Sequence, residues 1–437
     1  MTLPYPPAAP AFPLVGHALG LARDPFAYLY RKYREMGPIF RLRLVNRRFT
    51  VLAGLDANRF FVRESSELFR STGFFESFGR AVNAPEFLIS IDGEPHRRLR
   101  QVMRPGFSRE AVIDRLSELV SLTREIVGRH EGGERVRVVR LMQRVTTQQL
   151  GVLLCNVRTD DHFDDLRVFI NTLLNVTVVH RWPRLMLYRP SYRRARRRAY
   201  QFGREVIACH RTTRRAQPDI IDDLLAAHEA GEIYETEDEL HIAVIGPFLA
   251  GMDTVANTLA FMLYALLTHP TALERVRQDA AMLLAGGPTM AKLKLCHALR
   301  GAVRETLRLY PVVPAVLRTA AKSFDFHGYR VDEGELVMIA TTVPHHLQEI
   351  YGDPTGFDID RFGGDQPEQH TAGAFAPFGL GAHSCLGSNL AELMMALTLA
   401  PLVHDHRIEM EPRDYNLKVV VDPIPTPASF AVRLFHN

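Results

Sequence analysis

The chain has 437 residues, of which 46% are hydrophobic, and a formal net charge of +4. This apolar content is enough for a large buried core, and so small a positive excess gives no support for nucleic acid as a partner. The sequence shows no run of about 20 apolar residues that predicts a membrane span. Its proline-rich start, residues 1–20, lacks the features of a secretory signal, so we expect a cytoplasmic protein.

The predicted elements follow from that start in chain order. "DPFAYLYRKYREMG" predicts a short helix, and "GPIFRLRLVNRRFTVLAG" predicts a β-hairpin around Asn46. A mostly helical region covers residues 109–279, a second β segment covers 324–340, and a loop rich in Gly, Asp and Pro covers 350–377. Because no repeat or linker divides the chain, we expect a single large domain over residues 1–437, mainly α with small β-sheets (α+β).

One predicted helix in this region is unusually long. It begins at "TEDE", where Thr236 and Glu239 match a capping box, and extends to about Thr268, before "HP". It is apolar on nearly all sides, which indicates a buried central helix. Three residues in its middle conflict with a regular buried helix: Pro247, Gly251 and Asp253. Local conflicts of this kind are typical of functional sites.

The four cysteines lie far apart, without a CxxC pair: Cys155, Cys209, Cys296 and Cys385. This spacing argues against zinc ribbons, iron–sulfur clusters and a disulfide framework. A cysteine that does chemistry here acts alone, as a nucleophile or as a single metal ligand. We interpret the first three as small buried hydrophobes.

The fourth cysteine lies in a different setting. "FGLGAHSCLG", residues 378–387, places Cys385 among three glycines and directly before a predicted helix. The start of a helix presents unpaired N–H groups and a positive dipole end, so we expect the pKa of this thiol to be lowered. The thiolate is then either a nucleophile, with His383 as the nearest base, or a soft metal ligand. The residues of this loop leave both open.

The same run fills the pattern F-x-x-G-x-x-x-C-x-G with Phe378, Gly381, Cys385 and Gly387. In this pattern the sequence resembles the cytochrome P450 family, and further family motifs follow in the family's order over nearly the whole chain. They are "HRRLR" from His96 to Arg100, "AGMDT" from Ala250 to Thr254, "ETLR" from Glu305 to Arg308, Arg318, and "FDIDRF" with Arg361. The resemblance implies the cytochrome P450 fold, with a long central helix.

The resemblance also implies the cofactor and its ligands. Haem b would be bound through its iron by the Cys385 thiolate, and Phe378 would pack against the loop and shield that ligand. The haem propionates would be neutralised by His96, Arg100, Arg318 and His383. Glu305, Arg308 and Arg361 would form an ion-pair network that braces the haem core.

On the opposite side of the haem, the resemblance gives roles to three residues of the long helix. Gly251 would leave room beside the iron, Thr254 would donate a hydrogen bond, and Asp253 would relay protons for cleavage of the O–O bond. This pair of acid and alcohol favours a monooxygenase that uses O2 for hydroxylation or epoxidation. A peroxygenase or an oxidative coupling enzyme is the alternative on this fold. A haem–thiolate gas sensor would need neither Asp253 nor Thr254, and a cysteine hydrolase leaves the other motifs unexplained.

By family position, substrate would be framed by segments rich in Phe, Val, Leu and Pro. The candidates for the pocket are Phe75, Phe78, Phe87, Phe248, Ala250, Val313 and Val316. We expect a largely apolar small molecule, such as a fatty acid, terpenoid, steroid or macrolide, although any single one of these side chains is more simply a core residue.

The expected electron source is a separate ferredoxin or flavodoxin with its reductase, fed by NAD(P)H, because the chain shows no flavin or iron–sulfur segment. Arg97, Arg98 and Arg104 could steer such an acidic partner. A second basic stretch, "RWPRLMLYRPSYRRARRR", joins an apolar tip with Trp182 and Leu185 to an arginine run. Weak peripheral contact with an anionic membrane and a solvated helix face are both open interpretations.

Overall fold

The computed structural model describes residues 3–213, 218–363 and 371–437. About 56% of the chain is helical, which confirms the mainly α fold with small sheets. Residues 1–2 of the proline-rich start, 214–217 of the predicted helical region, and 364–370 of the predicted loop lie outside the described residues.

Fifteen α-helices lie in the described residues, and most of the core is formed by the longer ones. They are α1 Ala18–Arg23, α2 Pro25–Met36, α3 Leu55–Glu64, α4 Thr72–Ala81, α5 Gly93–Met103, α6 Leu116–Gly128, α7 Val138–Cys155, α8 Phe163–Thr177, α9 Pro190–Thr212, α10 Ile220–Glu229, α11 Glu237–Thr268, α12 Pro270–Leu284, α13 Met290–Leu295, α14 His297–Leu309 and α15 Ser388–Asp405.

Twelve short strands in the described residues form four sheets. They are β1 Ile39–Leu44, β2 Arg47–Ala53, β3 Phe69–Arg70, β4 Val136–Arg137, β5 Val316–Ala320, β6 Phe324–Phe326, β7 Tyr329–Val331, β8 Leu336–Ala340, β9 His406–Met410, β10 Val419–Val421, β11 Pro425–Pro427 and β12 Ala431–His436. The largest sheet has the order β1-β2-β8-β5-β3, a second has the order β4-β12-β9, and the pairs β6-β7 and β10-β11 stand alone.

The predicted hairpin is confirmed as the antiparallel pair β1 and β2, and the helix before it as α2, whose N-cap Asp24 accepts a hydrogen bond from the Ala27 amide. β2 then pairs in parallel with β8, which also pairs with β5. This sheet therefore joins the first 53 residues to the segment that carries Arg318.

The long central helix is confirmed as α11, with both ends where the sequence predicted them. Its capping box is present: Thr236 Oγ1 accepts from the Glu239 amide at 3.3 Å, and Glu239 Oε2 accepts from the Thr236 amide at 3.2 Å. The helix packs against α7, α9, α14 and α15, with Pro247 buried inside it. At 1.5 Å per residue, α11 is about 48 Å long and crosses the fold.

Two parts of the chain are long and apolar enough to cross a membrane, although the sequence analysis found no such run. They are Glu237–Thr268, which is α11, and Gly381–Asp405, which ends with α15. Within their most apolar windows, 83% and 67% of the residues are buried inside the protein. The buried core helices of soluble proteins are also this long and apolar, so the two segments are weak support for a membrane span.

Two of the three cysteines interpreted as buried hydrophobes are buried, namely Cys155 and Cys296. The interpretation is wrong for Cys209, which is exposed. Cys209 lies on α9, whose apolar residues cover only one face, and its position falls on the solvent side of that helix.

Candidate active site

The loop before α15 folds back on itself and presents Cys385. The Cys385 amide donates to the carbonyl oxygen of Phe378 at 2.9 Å, and the Phe378 side chain packs on the main core. Gly381 has a φ of +72°, and a Cβ there would lie 2.6 Å from Ser65 Oγ, so the turn needs glycine. The Cys385 side chain remains accessible.

The expectation of a lowered pKa at Cys385 is wrong for the chain by itself. Although the side chain is accessible, loss of hydration to the protein packed around the sulfur raises the pKa of this thiol, and the Gly387 amide and the Arg100 guanidinium oppose that effect only in part. The sequence identified the groups that favour thiolate, but it could not show how much protein surrounds the sulfur.

Two arginines predicted to bind the propionates lie beside this loop. Arg100 on α5 donates to the carbonyl oxygen of Ser384 at 2.9 Å. Arg318 on β5 is buried, donates to the carbonyl oxygen of Leu317 at 2.7 Å, and has its pKa lowered to about 10 by burial. Neither arginine forms an ion pair with a carboxylate within residues 3–213, 218–363 and 371–437. Buried cations without a carboxylate partner are costly, which indicates an anionic ligand.

Two histidines predicted for the same role stack on each other, with the ring centroids of His96 and His383 3.8 Å apart. Nε2 of His96 is buried without a hydrogen-bond partner among the described residues. Burial, with the charges of His383 and Arg100, lowers the pKa of His96 to about 3. In the chain by itself His96 is therefore neutral at pH 7, and its role toward a propionate stays a prediction.

The sequence analysis missed Asp92, which holds this cluster in place. His383 Nε2 lies 3.0 Å from Asp92 Oδ1, and the same carboxylate accepts from the amides of Ser71 and Thr72 at about 2.9 Å. Hydrogen bonds from His383 and Thr72 keep the pKa of Asp92 well below its usual range against the opposing effect of burial. Asp92 precedes α5 and has the sequence signal of an N-cap, yet its side chain makes no capping hydrogen bond.

These groups fit the haem that the resemblance implies. An accessible thiol suits the iron, the buried Arg318 and the half-buried Arg100 lack carboxylate partners among the described residues, and one buried ring nitrogen of His96 is without a partner there. A group that carries a metal and two carboxylates would satisfy all of these atoms.

A second cluster, Glu305, Arg308 and Arg361, is brought together as the sequence predicted. Arg308 donates to both oxygens of Glu305 at 2.7 and 2.8 Å, and Arg361 Nε donates to Glu305 Oε1 at 3.0 Å. Nη1 of Arg308 also donates to the carbonyl oxygens of His345 and Pro354, and Nη2 of Arg361 donates to that of Asp353. The close approach of the two segments depends on Gly301 of α14, because a Cβ there would overlap the carbonyl oxygen of Ile359.

The middle of α11 opens on one face. Ala250 is exposed and Thr254 half-buried, although nearly all of the surrounding helix is buried. Thr254 Oγ1 donates to the Ala250 carbonyl oxygen at 2.7 Å, so its remaining hydrogen-bonding capacity is as an acceptor. Gly246 lies on the same face, one turn earlier, where its missing Cβ would meet the Phe87 ring at 3.2 Å.

The role expected for Gly251 is wrong in its direction. A Cβ on Gly251 would point at Leu150 of α7, 3.0 Å from Cδ1, and would not point into the open face. Gly251 therefore allows α11 and α7 to approach closely. The glycine that leaves the open face without a side chain is Gly246. Its i, i+4, i+8 spacing with Ala250 and Thr254 could have identified it from the sequence.

Asp253 is buried, and Gln143 of α7 donates to its Oδ1 at 2.7 Å. Burial raises the pKa of this carboxyl to about 6, with the charge of Asp422 acting in the same direction and that of Arg167 opposing it. The carboxyl lies toward α7, whereas the neighbouring Thr254 hydroxyl bonds within α11.

The pocket candidates fall into two groups. Ala250 and Val313 are exposed, and Phe87 and Val316 are half-buried. Phe75, Phe78 and Phe248 are buried in the hydrophobic core clusters. Phe248 packs edge-on against Phe202 of α9 and lies about 200° around α11 from Ala250, so its assignment to the pocket is wrong.

Comparisons with known proteins identify the family to which the whole chain is similar. Residues 6–425 match the model of the family Cytochrome P450. "Putative cytochrome P450 139" of Mycobacterium tuberculosis is 30% identical over 385 residues, 85% of this chain and 88% of that protein. Cyclooctat-9-en-7-ol 5-monooxygenase of Streptomyces melanosporofaciens is 27% identical, over 92% of this chain and 88% of its own. The solved structure of retinoic acid-bound cyanobacterial CYP120A1 superposes with a TM-score of 0.87 at 26% identity, over 100% of both chains.

Proposed function

The chain belongs to the cytochrome P450 family and is a haem–thiolate monooxygenase, and we propose that it uses O2 and separate redox proteins to oxidise a largely apolar small molecule. The observation that carries this proposal is the accessible Cys385 thiol beside the half-buried Arg100 and the buried Arg318, which lack carboxylate partners among the described residues. We also propose that residues 1–437 form one haem domain, since the largest sheet pairs β2, Arg47–Ala53, with β8, Leu336–Ala340, which lie far apart in the chain.

In this proposal Cys385 ligates the haem iron, and Arg100, Arg318 and His96 bind the propionates. His383 is not assigned to a propionate in this proposal. Its ring is held by Asp92 and stacks on His96, so it positions the His96 ring. The haem iron supplies the activation of oxygen and its transfer to substrate. The loop supplies the Gly387 amide, which hydrogen-bonds the sulfur, and Phe378, whose side chain packs on the main core.

We propose that Asp253 and Thr254 move protons into the open face of α11. A carboxyl with a pKa of about 6 exchanges its proton readily near neutral pH. Because the carboxyl bonds to Gln143 of α7, it must reach Thr254 through water or by turning toward it. The hydroxyl oxygen of Thr254 then accepts a hydrogen bond from the group that carries the proton, because its own hydrogen is donated to the Ala250 carbonyl oxygen.

The substrate is proposed to bind against the face formed by Gly246, Ala250 and Thr254, with Phe87, Val313 and Val316 around it. The accessible members of this set are apolar apart from Thr254. The names of two relatives refer to cyclooctat-9-en-7-ol and retinoic acid, which are mostly hydrocarbon. They favour a terpenoid within the apolar class.

Electrons are proposed to come from NAD(P)H through a reductase and a ferredoxin or flavodoxin that docks on α5. Arg97 and Arg98 are exposed on α5, the helix whose Arg100 touches the Cys385 loop, and Arg104 is exposed directly after that helix. Reversing their charges should slow reduction by the partner and leave the carbon monoxide spectrum unchanged. An unchanged rate of reduction would exclude this docking face.

We further propose that the protein is cytoplasmic and makes a weak contact with anionic membranes through α9. Arg193, Arg194 and Arg197 line a groove of about 1060 Å³. In the 3₁₀ turn before α9, Leu185 and Tyr188 are 74% and 71% exposed. Basic and apolar groups together suit an anionic lipid surface. Sedimentation with anionic vesicles at low salt should carry the protein down, and the Arg193→Glu/Arg197→Glu variant should stay in solution; failure of the wild type to sediment ends the idea.

The test of the enzyme assignment is the absorption spectrum of the reduced protein with carbon monoxide. We expect the strongly red-shifted Soret band of a thiolate-ligated carbonyl in the wild type. Cys385→Ser should lose this band, and Cys209→Ser, a control at an exposed cysteine, should keep it. An unshifted band in folded wild-type protein would exclude thiolate ligation.

A second measurement separates a monooxygenase from a peroxygenase. Product formed with NAD(P)H, a ferredoxin, its reductase and O2 supports the proposed route. Product formed only with hydrogen peroxide, with the same carbon monoxide spectrum, would support the peroxygenase.

A further inference from the structure

Two histidines face each other across the second sheet, far from Cys385. His406 begins β9, and its partner in the antiparallel register is His436 of β12. Directly opposed residues on antiparallel strands place their side chains on the same face, with Cβ atoms about 5 Å apart. The centroids of the two rings are 6.0 Å apart.

A carboxylate joins them from the segment after α6. Gly132 forms an isolated β-bridge with Phe435, which brings its neighbour Glu131 to the two rings. Glu131 Oε1 lies 2.9 Å from His406 Nε2. One ligand atom from each of Glu131, His406 and His436 falls within 4.8 Å of the others.

The hydrogen bonds of the rings fix which nitrogen is available. Nδ1 of His406 lies 3.1 Å from the Leu402 carbonyl oxygen, and Nδ1 of His436 lies 3.0 Å from that of Asp405. A carbonyl oxygen only accepts, so both Nδ1 atoms carry hydrogen, and a neutral ring then has its lone pair at Nε2. A ring N–H held by a main-chain carbonyl, with the other nitrogen free, is typical of histidines that bind metals.

The short distance between His406 and Glu131 has two explanations. If His406 is cationic, its Nε2 donates to Glu131 as an ordinary ion pair. If it is neutral with its hydrogen on Nδ1 and Glu131 is ionised, two lone pairs face each other at 2.9 Å, and a cation beside both atoms would relieve their repulsion. The ion pair gives no role to Nε2 of His436, whereas a metal ion uses all three side chains.

We propose that Glu131, His406 and His436 bind one divalent transition-metal ion of the zinc class, with water as the fourth ligand. Two imidazoles and a carboxylate suit Zn²⁺ and do not suit Mg²⁺ or Ca²⁺, which prefer oxygen ligands. The ion would fasten β12, the last strand, to the end of α6. The site is separate from the haem, because the 18-residue α15 spans about 27 Å between the Cys385 loop and His406.

The test uses the haem-loaded full chain after dialysis against EDTA, titrated calorimetrically with Zn²⁺ and, separately, with Mg²⁺. We expect one tight Zn²⁺ site per chain, no Mg²⁺ binding, and a rise in the unfolding temperature with Zn²⁺. His436→Gln, at an exposed position near the chain end, and Glu131→Gln should each weaken Zn²⁺ binding at least tenfold.

His404→Gln is the matched control, because His404 is an exposed neighbour outside the three ligands. It should bind Zn²⁺ like the wild type, and all variants should keep the wild-type carbon monoxide spectrum. Zn²⁺ binding that is absent in the wild type, or equally strong in His436→Gln, would overturn the site and leave the ion pair as the explanation. Neither result bears on the haem–thiolate function.

Discussion

The protein contains two clusters of buried and half-buried polar side chains, and they differ in how completely their hydrogen-bonding atoms are satisfied. In the first, Glu305 holds Arg308 and Arg361 through charge-assisted hydrogen bonds, and both guanidinium groups also donate to main-chain oxygens. In the second, Arg100 and Arg318 have carbonyl oxygens but no carboxylate among the described residues, and His96 Nε2 has no partner there.

This difference distinguishes charged side chains that stabilise the fold from charged side chains that bind a ligand. A buried network in which every member is paired holds elements of the fold in one arrangement. A buried cation without its counter-charge costs stability, and that cost is recovered only when an anion arrives. Sequence motifs mark both clusters in the same way, and the hydrogen bonds tell them apart.

The largest effect should follow from removing the centre of the satisfied cluster. Glu305→Gln leaves two buried arginines without a carboxylate, so we expect a loss of about 3–5 kcal/mol in the free energy of unfolding, measured by urea denaturation. Glu94→Gln is the control, because Glu94 pairs with Arg97 at the same i, i+3 spacing on the surface. It should change stability by at most about 0.5 kcal/mol. Equal losses would mean that the buried network does not brace the fold.

The unsatisfied cluster should respond in the opposite way. Arg318→Met removes a buried cation, so the haem-free chain should be as stable as the wild type or more stable. Haem should dissociate at least tenfold faster, as measured by its transfer to an acceptor protein. Arg70→Met, at an exposed position on β3 in the same sheet, should change neither quantity. A haem-free variant that unfolds much more easily would place Arg318 with the structural cluster instead.

Asp253 lies between these two cases, as a buried acid with one donor, Gln143. Its folded-state pKa of about 6 exceeds the unfolded value, so the folded chain holds the proton more tightly and the wild type loses stability as the pH rises toward and through 6. Asp253→Asn removes this dependence. From pH 5 to 7.5, the free energy of unfolding of the variant should therefore rise by about 1 kcal/mol relative to the wild type.

Denaturation at several pH values checks this, with Asp325→Asn as the control at an exposed carboxylate on β6. A constant difference between Asp253→Asn and the wild type would show that Asp253 is charged at all these pH values. Its hydrogen bonds would then stabilise the buried charge fully, as those of Glu305 do.

The smallest effect concerns two glycines of α11 that face different neighbours. Gly246→Ala meets the Phe87 ring on the open face, whereas Gly251→Ala meets a flexible end of Leu150. Either change should alter stability by about 1 kcal/mol or less, because the gain in helix propensity offsets the contact. Only Gly246→Ala should change the affinity for an apolar ligand, by several-fold in a spin-state titration. If Gly251→Ala changed the affinity and Gly246→Ala did not, Gly251 and not Gly246 would lie on the face that binds the ligand.

The sequence by itself determined the features that depend on residues close together in the chain. The capping box at Thr236 and Glu239 and the stop before His269 fixed both ends of α11. The alternation around Asn46 fixed the hairpin, and the run from Phe378 to Gly387 identified the family. Caps, turns and a ten-residue motif are local, so their chemistry can be read along the chain.

Only the tertiary structure decided the features that depend on distant segments. Asp92 meets His383 across 291 positions, Gly251 faces Leu150, and His406 meets His436 because two strands pair in one register. The sign of the pKa shift at Cys385 was decided in the same way. Burial and close approach are set by packed elements from other parts of the chain, and these outweigh the local groups that the sequence displays.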